Sequence, residues 1–381
     1  MKPKLRFKEF NSDWNTYKFY ELVTIKNGQV DPNDEQYSNL PHIGPGNIEK
    51  ETGRLLEYNL AKDDKLVSSK YLFDKESVIY GKINPHFAKV CYPKFVGLCS
   101  ADAYPINPIK DKLTSEFLLY LLLNPQFTKF ATSVSMRTGM PKINRDELSI
   151  YKFTIPEIAE QFKIGNMLTL LDKKIELQSK KIEDLKLFKL YTKNQLFRSG
   201  EKVVKLKDIL NKWNEKNKDG SIKYVESISN KYGFISQSDQ FEDRNIASKD
   251  LKNYYVIRKN VFGYNPSRLN VGSLALKEND NTSVVSPLYE CFTTTQNNKF
   301  MLEWFDSKYF KKGTLSKFEG GVRNTLNFTN LCEIEINLPT LDKQNEFANY
   351  LYNFDKKIQL EELKLNKLNE MKKGLMQNMF V

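Results

Sequence analysis

Four cysteines and two histidines are all that 381 residues provide. Cys91, Cys99, Cys291 and Cys332 have no CxxC spacing, and so few histidines cannot complete the usual zinc sets. The thiols therefore read as reduced and buried, as in a cytoplasm. Long hydrophobic runs are missing too. The longest, Phe117 to Leu123, is far too short to cross a bilayer. The opening MKPKLRFKEF has no apolar h-region, which argues against secretion and for a cytoplasmic protein with no membrane partner. There is no Walker A sequence, hence no nucleotide motor. HIGPGN (42–47) is the one candidate for a cofactor turn, but Pro45 interrupts its glycines and no buried hydrophobic strand precedes it. No acidic–lysine nuclease triplet stands out, and DPNDEQ (31–36) reads as a solvated loop. No catalytic residue, cofactor or metal is expected.

Hydrophobic content of 40% and aromatic content of 13% describe a globular chain long enough for two or three domains. The net charge is +12, and its placement is informative. Glu157 to Phe197 holds eight lysines against six acids, and Thr340 to Val381 holds seven lysines against six acids. Those segments carry +2 and +1, so the remaining +9 lies elsewhere and makes the rest of the chain the better surface for a polyanion.

The strongest signal is an internal repeat. LLDKKIELQSKKIEDL starts at Leu170 and NFDKKIQLEELKLNKL at Asn353, with Asp-Lys-Lys-Ile 183 positions apart. At that shift the two halves align without a gap from Pro156/Pro339 to Phe197/Phe380. Gln161 meets Gln344, Asp172 meets Asp355, and Asn144 meets Asn327. Farther upstream only scattered positions agree, among them Phe117 with Phe300. The chain is thus one plan used twice, a variable block of about 150 residues and then a long helix.

Heptad a and d positions fall at Ile164, Leu168, Leu171, Ile175, Gln178, Ile182, Leu185, Lys189, Thr192 and Leu196, and in the second copy at the residues 183 further on. The expected helix–helix contacts are Leu168, Leu171, Ile175, Ile182 and Leu185 against Leu351, Phe354, Ile358, Leu365 and Leu368. Both seams carry a polar d residue, Gln178 or Glu361, and a lysine at the same a position. Polar seam residues cost stability and fix register, so each helix is built for one partner in one alignment. A helix of this length spans about 60 Å, more than one small domain can cover. Each opens after a proline with acids in its first turn, where the helix dipole favours them. The blocks mix β-prone runs such as ESVIYGKI with two late helices, SEFLLYLLLN and PQFTKFATSV in the first, NKFMLEWFDS and KYFKKGTLSKF in the second. That order reads as α+β.

Two variable blocks alternating with two near-identical helices, each preceded by a loop–proline–glutamine stretch, resemble the specificity subunit of type I restriction–modification systems. The likeness covers the whole chain in architecture. In residues it rests on GGVRNTLN and LPTLDKQNEFANYLYNFDKKI, and on TGMPKIN and IPEIAEQFKIGNMLTLLDKKI in the first copy. The resemblance implies target-recognition domains at 1–155 and 199–338, each reading half of a bipartite double-stranded DNA target. It implies helices at 156–198 and 339–381 that form an antiparallel coiled coil, space the readers and dock methyltransferase subunits, with restriction/translocase subunits completing the complex. The first copy departs from the usual Gly-Gly loop, having Thr138-Gly139 there.

Gly320, Gly321, Arg323 and Asn324 form a loop whose backbone can approach phosphate, whose arginine can fork to phosphate or guanine, and whose amide can pair with adenine. A plain helix-ending turn is the competing reading. Arg137, Thr138, Lys142 and Asn144 occupy the equivalent loop. KINPHF and GYNPSR also sit at matching places and nominate Lys82, Asn84, His86, Asn265 and Arg268 as DNA-facing. NPHF resembles the Asn-Pro-Pro-aromatic motif of adenine methyltransferases, yet His86 replaces the second proline and the other copy reads NPSR. The preferred reading is a non-catalytic DNA-recognition subunit. The alternatives are a fused methyltransferase or nuclease with its own catalytic site, and a coiled-coil scaffold that binds no DNA.

Overall fold

The structure is a computed structural model and describes residues 2–136, 139–198, 200–230, 232–237, 250–269, 272–315, 317 and 325–381. It divides into two compact units, 1–179 with 363–381, and 180–362. The division passes through both long helices.

Unit 1 begins with β1 (Asn15–Lys18), the single turn α1 (Phe19–Leu22) and β2 (Val23–Ile25). Seven strands follow: β3 (Pro41–Ile43), β4 (Asn59–Leu60), β5 (Tyr71–Phe73), β6 (Val78–Gly81), β7 (Val90–Cys91), β8 (Gly97–Cys99) and β9 (Ala103–Pro108). They form two four-stranded sheets, ordered β2-β9-β6-β7 and β4-β3-β8-β5, with one parallel pair at β3·β8. Then come α2 (Ser115–Leu123), α3 (Pro125–Val134), α4 (Arg145–Ser149), β10 (Lys152–Ile155), which pairs antiparallel with β1, and the long α5 (Ile158–Leu196). Strand β6 is buried at every position, which explains why VIYG is apolar without alternation. Helix α2 is buried at all but Glu116 and forms the centre of the core with Trp14, Tyr80, Phe127 and Phe153.

Unit 2 repeats the plan. β11 (Lys202–Lys205) pairs with β20 (Glu335–Leu338) as β1 does with β10. Among the strands β12 (Leu210–Trp213), β13 (Glu226–Ser229), β14 (Gly233–Ser236), β15 (Tyr255–Ile257), β16 (Phe262–Tyr264), β17 (Leu274–Leu276), β18 (Ser283–Val285) and β19 (Glu290–Thr294), the order β12-β19-β16-β17 matches the first sheet of unit 1. The second sheet is replaced by the two-stranded pairs β13·β14 and β15·β18. Helices α6 (Asn298–Phe305), α7 (Lys308–Leu315), α8 (Phe328–Cys332) and α9 (Leu341–Asn378) complete the copy. The stretches TGMPKIN and GGVRNTLN are each followed directly by a short helix, α4 or α8, capped by Asn144 or Asn327.

The long helices form an antiparallel coiled coil, half of which is held in each unit. In unit 1 the end of α9 lies along the start of α5, where Ile164, Leu168, Met376, Met379 and Phe380 join one core. Phe380 stacks on Phe117 with ring centroids 5.3 Å apart, and in unit 2 Phe197 meets Phe300 at 5.4 Å. Of the ten residues expected at the helix contact, Leu168, Leu171, Ile182, Leu351, Ile358 and Leu368 are buried, and Ile175, Leu185, Phe354 and Leu365 are half-buried. Leu170, Leu177 and Leu360, off the seam, are exposed.

The repeated Asp-Lys-Lys-Ile now has a reason. Its aspartate meets the seam lysine of the other helix: Lys372 Nζ is 2.6 Å from Asp172 Oδ1 in unit 1, and Lys189 Nζ is 2.7 Å from Asp355 Oδ1 in unit 2. Each lysine sits at an a position where only an antiparallel partner presents that carboxylate, so the pair sets orientation and register. The repeated glutamine does comparable work at the helix starts. Gln161, fully buried, accepts from Thr114 N–H at 3.1 Å and donates to Pro156 O at 2.9 Å. Gln344 does the same with Asn297 N–H at 3.1 Å and Pro339 O at 2.9 Å. Each ties a long helix to the N-cap residue of the buried helix of its own block.

Candidate nucleic-acid interface

Two loops of unit 1 that are distant in sequence lie side by side. Ile83 and Lys142 form an antiparallel bridge. Asn84 N–H donates to Pro141 O at 2.8 Å, and Ile143 N–H donates to Lys82 O at 3.0 Å. Lys82, Asn84, His86 and Lys142 are thereby brought onto one pair of loops. Unit 2 joins the corresponding segments, with Leu326 N–H donating to Pro266 O at 3.1 Å.

The first loop has an unusual backbone. Asn84 (φ 49°) and Ala88 (φ 42°) are both left-handed and bracket a single 3-10 turn, Pro85–Phe87. Such conformations cost on the order of 1–3 kcal/mol each and persist only where the surroundings hold them. Here the Asn84 bond to Pro141 and the Phe87 N–H bond to Asn84 O (2.9 Å) do so. The turn leaves His86 exposed, its ring 4.0 Å from that of Phe87, and Lys50 Nζ lies 3.7 Å from the Phe87 ring centroid.

Lys82 is only 8% exposed, with its amine 4.9 Å from the Tyr104 ring centroid. The Arg145 guanidinium lies 5.5 Å from the same ring. Burial, then the like charge of Lys142, holds the Lys82 amine below the usual lysine range, opposed by Asp102 and aided to a smaller degree by Arg145. Arg145 spends its donors on Ile25 O (3.2 Å), Lys26 O (2.8 Å) and the Asn27 side chain, fixing the loop after β2.

Asn144 has a structural task. Its side-chain oxygen accepts Glu147 N–H at 2.8 Å while the Glu147 carboxylate accepts Asn144 N–H at 2.7 Å, a reciprocal cap for α4. Asn327 caps α8, its side-chain oxygen accepting Asn330 N–H at 2.8 Å. In unit 2, Asn265 accepts Ser267 N–H at 3.0 Å and Arg268 is exposed. Arg137, Thr138, Gly320, Gly321, Arg323 and Asn324 lie outside the described residues. The HIGPGN loop closes on itself, since Gly44 N–H donates to Asn47 Oδ1 at 2.8 Å and Asn47 N–H to Gly44 O at 3.0 Å. Those donors are not turned outward for a phosphate. Among the described residues no group of three or more His, Cys, Asp or Glu could hold a metal ion, and no helix is long and apolar enough to cross a membrane.

The type I restriction modification DNA specificity domain matches this sequence twice, over residues 11–187 and 199–370. The chain belongs to that family. The EcoDI type I restriction enzyme specificity subunit of Escherichia coli is 35% identical over 153 residues, 40% of this chain and 33% of that protein. The MjaVIII specificity subunit of Methanocaldococcus jannaschii is 26% identical over 208 residues, 52% of this chain and 48% of that protein. The matches thus span a third to a half of these relatives. The crystal structure of the type I restriction–modification S subunit from M. genitalium shares the fold, with a TM-score of 0.58 at 15% identity, covering 100% of this chain and 99% of that one.

The sequence of this specificity-family chain nominated Lys82 and Lys142 from separate motifs, but not Arg145, Tyr104 or Lys50. Arg145 could have been found as the basic residue next to the capping Asn144. Tyr104 is a lone aromatic in a strand, and only folding sets it under two cations.

Proposed function

We propose that this chain is the non-catalytic DNA-recognition subunit of a type I restriction–modification complex. Its first and second recognition domains, 1–155 and 199–338, each read one half of a bipartite double-stranded target. The helical segments 156–198 and 339–381 space the readers and dock methyltransferase subunits, and restriction/translocase subunits join the assembly in the cytoplasm. The observation that carries the reading is the convergence, in both units, of two separate repeat-matched loops, in unit 1 with Lys82, Lys142 and Arg145 gathered beside them. Phosphate contacts by lysine and arginine would supply most of the affinity, and side chains such as Asn84, His86, Asn265 and Arg268 the base preference.

The test is site selection from random duplex DNA by the full chain with its methyltransferase subunits, together with a labelled methyl-donor assay of the chain alone. A two-part interrupted site and no methyl incorporation without added subunits are expected. Robust methylation by the pure chain, or selection of no sequence, would overturn the proposal.

A further inference from the structure

One hairpin joins the coiled coil of unit 1 to the turn that carries His86. Residues 48–55 double back through the antiparallel bridge between Ile48 and Leu55 and the bond from Glu49 N–H to Arg54 O at 3.0 Å. On one side the helices hold its tip. Lys372 Nζ of α9, already paired with Asp172, donates to Thr52 O at 2.9 Å. Gly53, left-handed at φ 83°, lies so close to α2 that a Cβ there would stand 3.0 Å from Leu123 Cδ1. On the other side the tip holds the turn. Glu51 N–H donates to Phe87 O at 3.2 Å and Ala88 O at 3.3 Å, and Lys50 Nζ lies over the Phe87 ring. Glu51 (φ 64°) is left-handed like Asn84 and Ala88, a conformation that residues with side chains keep only where their surroundings hold it. The tip also borders an open cleft of 1110 Å³, so polar bonds more than packing fix its place. Among the described residues, unit 2 makes no such link at the matching lysine. Lys189 bonds carboxylates instead, Asp355 at 2.7 Å and Glu303 at 3.4 Å.

We propose that this hairpin is a strut through which Lys372 of the coiled coil positions the Pro85–Phe87 turn for reading the first half of the DNA target. This rests on the DNA-recognition reading and makes Lys372 a positioning residue that acts through Thr52 and Glu51. A charge-assisted bond to a backbone carbonyl is short and directional, so a shift of α9 along α5 moves Thr52. The two bonds from Glu51 carry that shift to Phe87 and Ala88. Coupling of this kind is reciprocal, so DNA seated on the turn favours the helix register that keeps the Lys372–Asp172 pair. The first domain thereby senses the coiled coil by a route that Lys189, bonded to side chains, does not give the second.

The test compares Lys372→Met, Lys372→Arg and Lys189→Met in the full chain with its methyltransferase subunits. Photocrosslinking from position 86 identifies the half-site that the first domain contacts. In site selection from random duplex, Lys372→Met should discriminate bases in that half-site about two- to thirtyfold less well, with the other half-site kept. Lys372→Arg keeps a cationic donor and should restore the preference. Lys189→Met removes the matching ion pair and should leave the first half-site unchanged. Hydrogen exchange of the DNA-free chain gives an independent reading. Lys372→Met should speed exchange in residues 48–56 and 84–88, and Lys189→Met should not. Should Lys372→Met fail to fold, Glu51→Pro removes the donor to Phe87 without touching the helices and should loosen the same half-site. Equal loss of preference in both half-sites, or unchanged exchange in residues 84–88, would overturn the proposal. Absence of DNA selection by the unsubstituted protein would instead sink the DNA-recognition reading, and the exchange result would still decide the strut.

Discussion

Cutting the chain near residue 199 leaves the first block and its helix, and the structure indicates how well that half should pair with a second copy of itself. In unit 1 the end of α9 would be replaced by the end of another copy's α5. Much of the contact survives: Phe197 can take the place of Phe380 against Phe117, and Lys189 that of Lys372 beside Asp172. One position does not. Lys193 replaces Met376, which is 6% exposed in a core with Tyr120 and Leu123. In its own unit Lys193 is equally buried but pairs with Glu303 and Asp306, each at 2.8 Å. Tyr120 and Leu123 stand where those acids would be. Stranding a buried charge costs about 3–5 kcal/mol, which a snorkelling lysine reduces to roughly 2 kcal/mol per copy. Two copies lose about 4 kcal/mol, or nearly three decades in dimer Kd. The half-chain should therefore dimerise weakly, and Lys193→Met should tighten it by about two to three decades. Sedimentation equilibrium measures this, and site selection should return an interrupted palindrome of the first half-site. A Lys193→Met half-chain no tighter than its parent would refute the reasoning, as would a dimer that selects a non-palindromic site.

Gln161→Leu should destabilise the protein by about 2–4 kcal/mol, since the Thr114 N–H and Pro156 carbonyl lose their partner in a buried place, each at about 1–3 kcal/mol. Gln344→Leu should behave alike in urea unfolding, and a loss under about 1 kcal/mol in both would contradict the assigned role. Burial pushes the Cys99 and Cys291 thiols up to about 12 and Cys91 higher still, whereas Cys332 is only half-buried and less perturbed. In mildly alkaline buffer a thiol reagent should label Cys332 first, with the other three protected until unfolding; mapping by mass spectrometry reads the order. Arg323→Ala should weaken specific binding by about 1–3 kcal/mol and relax choice at one position if that arginine reads a base, or weaken all sequences evenly if it holds phosphate. No change of either kind would return its loop to an ordinary turn.

Much of the architecture was written in the sequence, and for a physical reason. A heptad seam depends on spacing along one helix, so Ile164 to Leu196 and their partners 183 residues on announce two paired helices before any contact is known. Helices α2, α3 and α6 are short-range features, and their apolar runs and Asn or Thr caps are local. The seam lysines and the Asp-Lys-Lys-Ile aspartates were visible as repeats, but nothing local says that one answers the other. Only the antiparallel arrangement brings Lys372 to Asp172 and Lys189 to Asp355. The same holds for the candidate interface. Sequence could nominate KINPHF and the Lys142 loop separately, because each has a composition. That Ile83 and Lys142 share a bridge, that Tyr104 lies beneath two cations, and that Asn144 is occupied as a cap are facts of tertiary structure. They depend on chain segments tens of residues apart meeting in one core, and pairwise proximity of that kind leaves no period or motif in a single sequence.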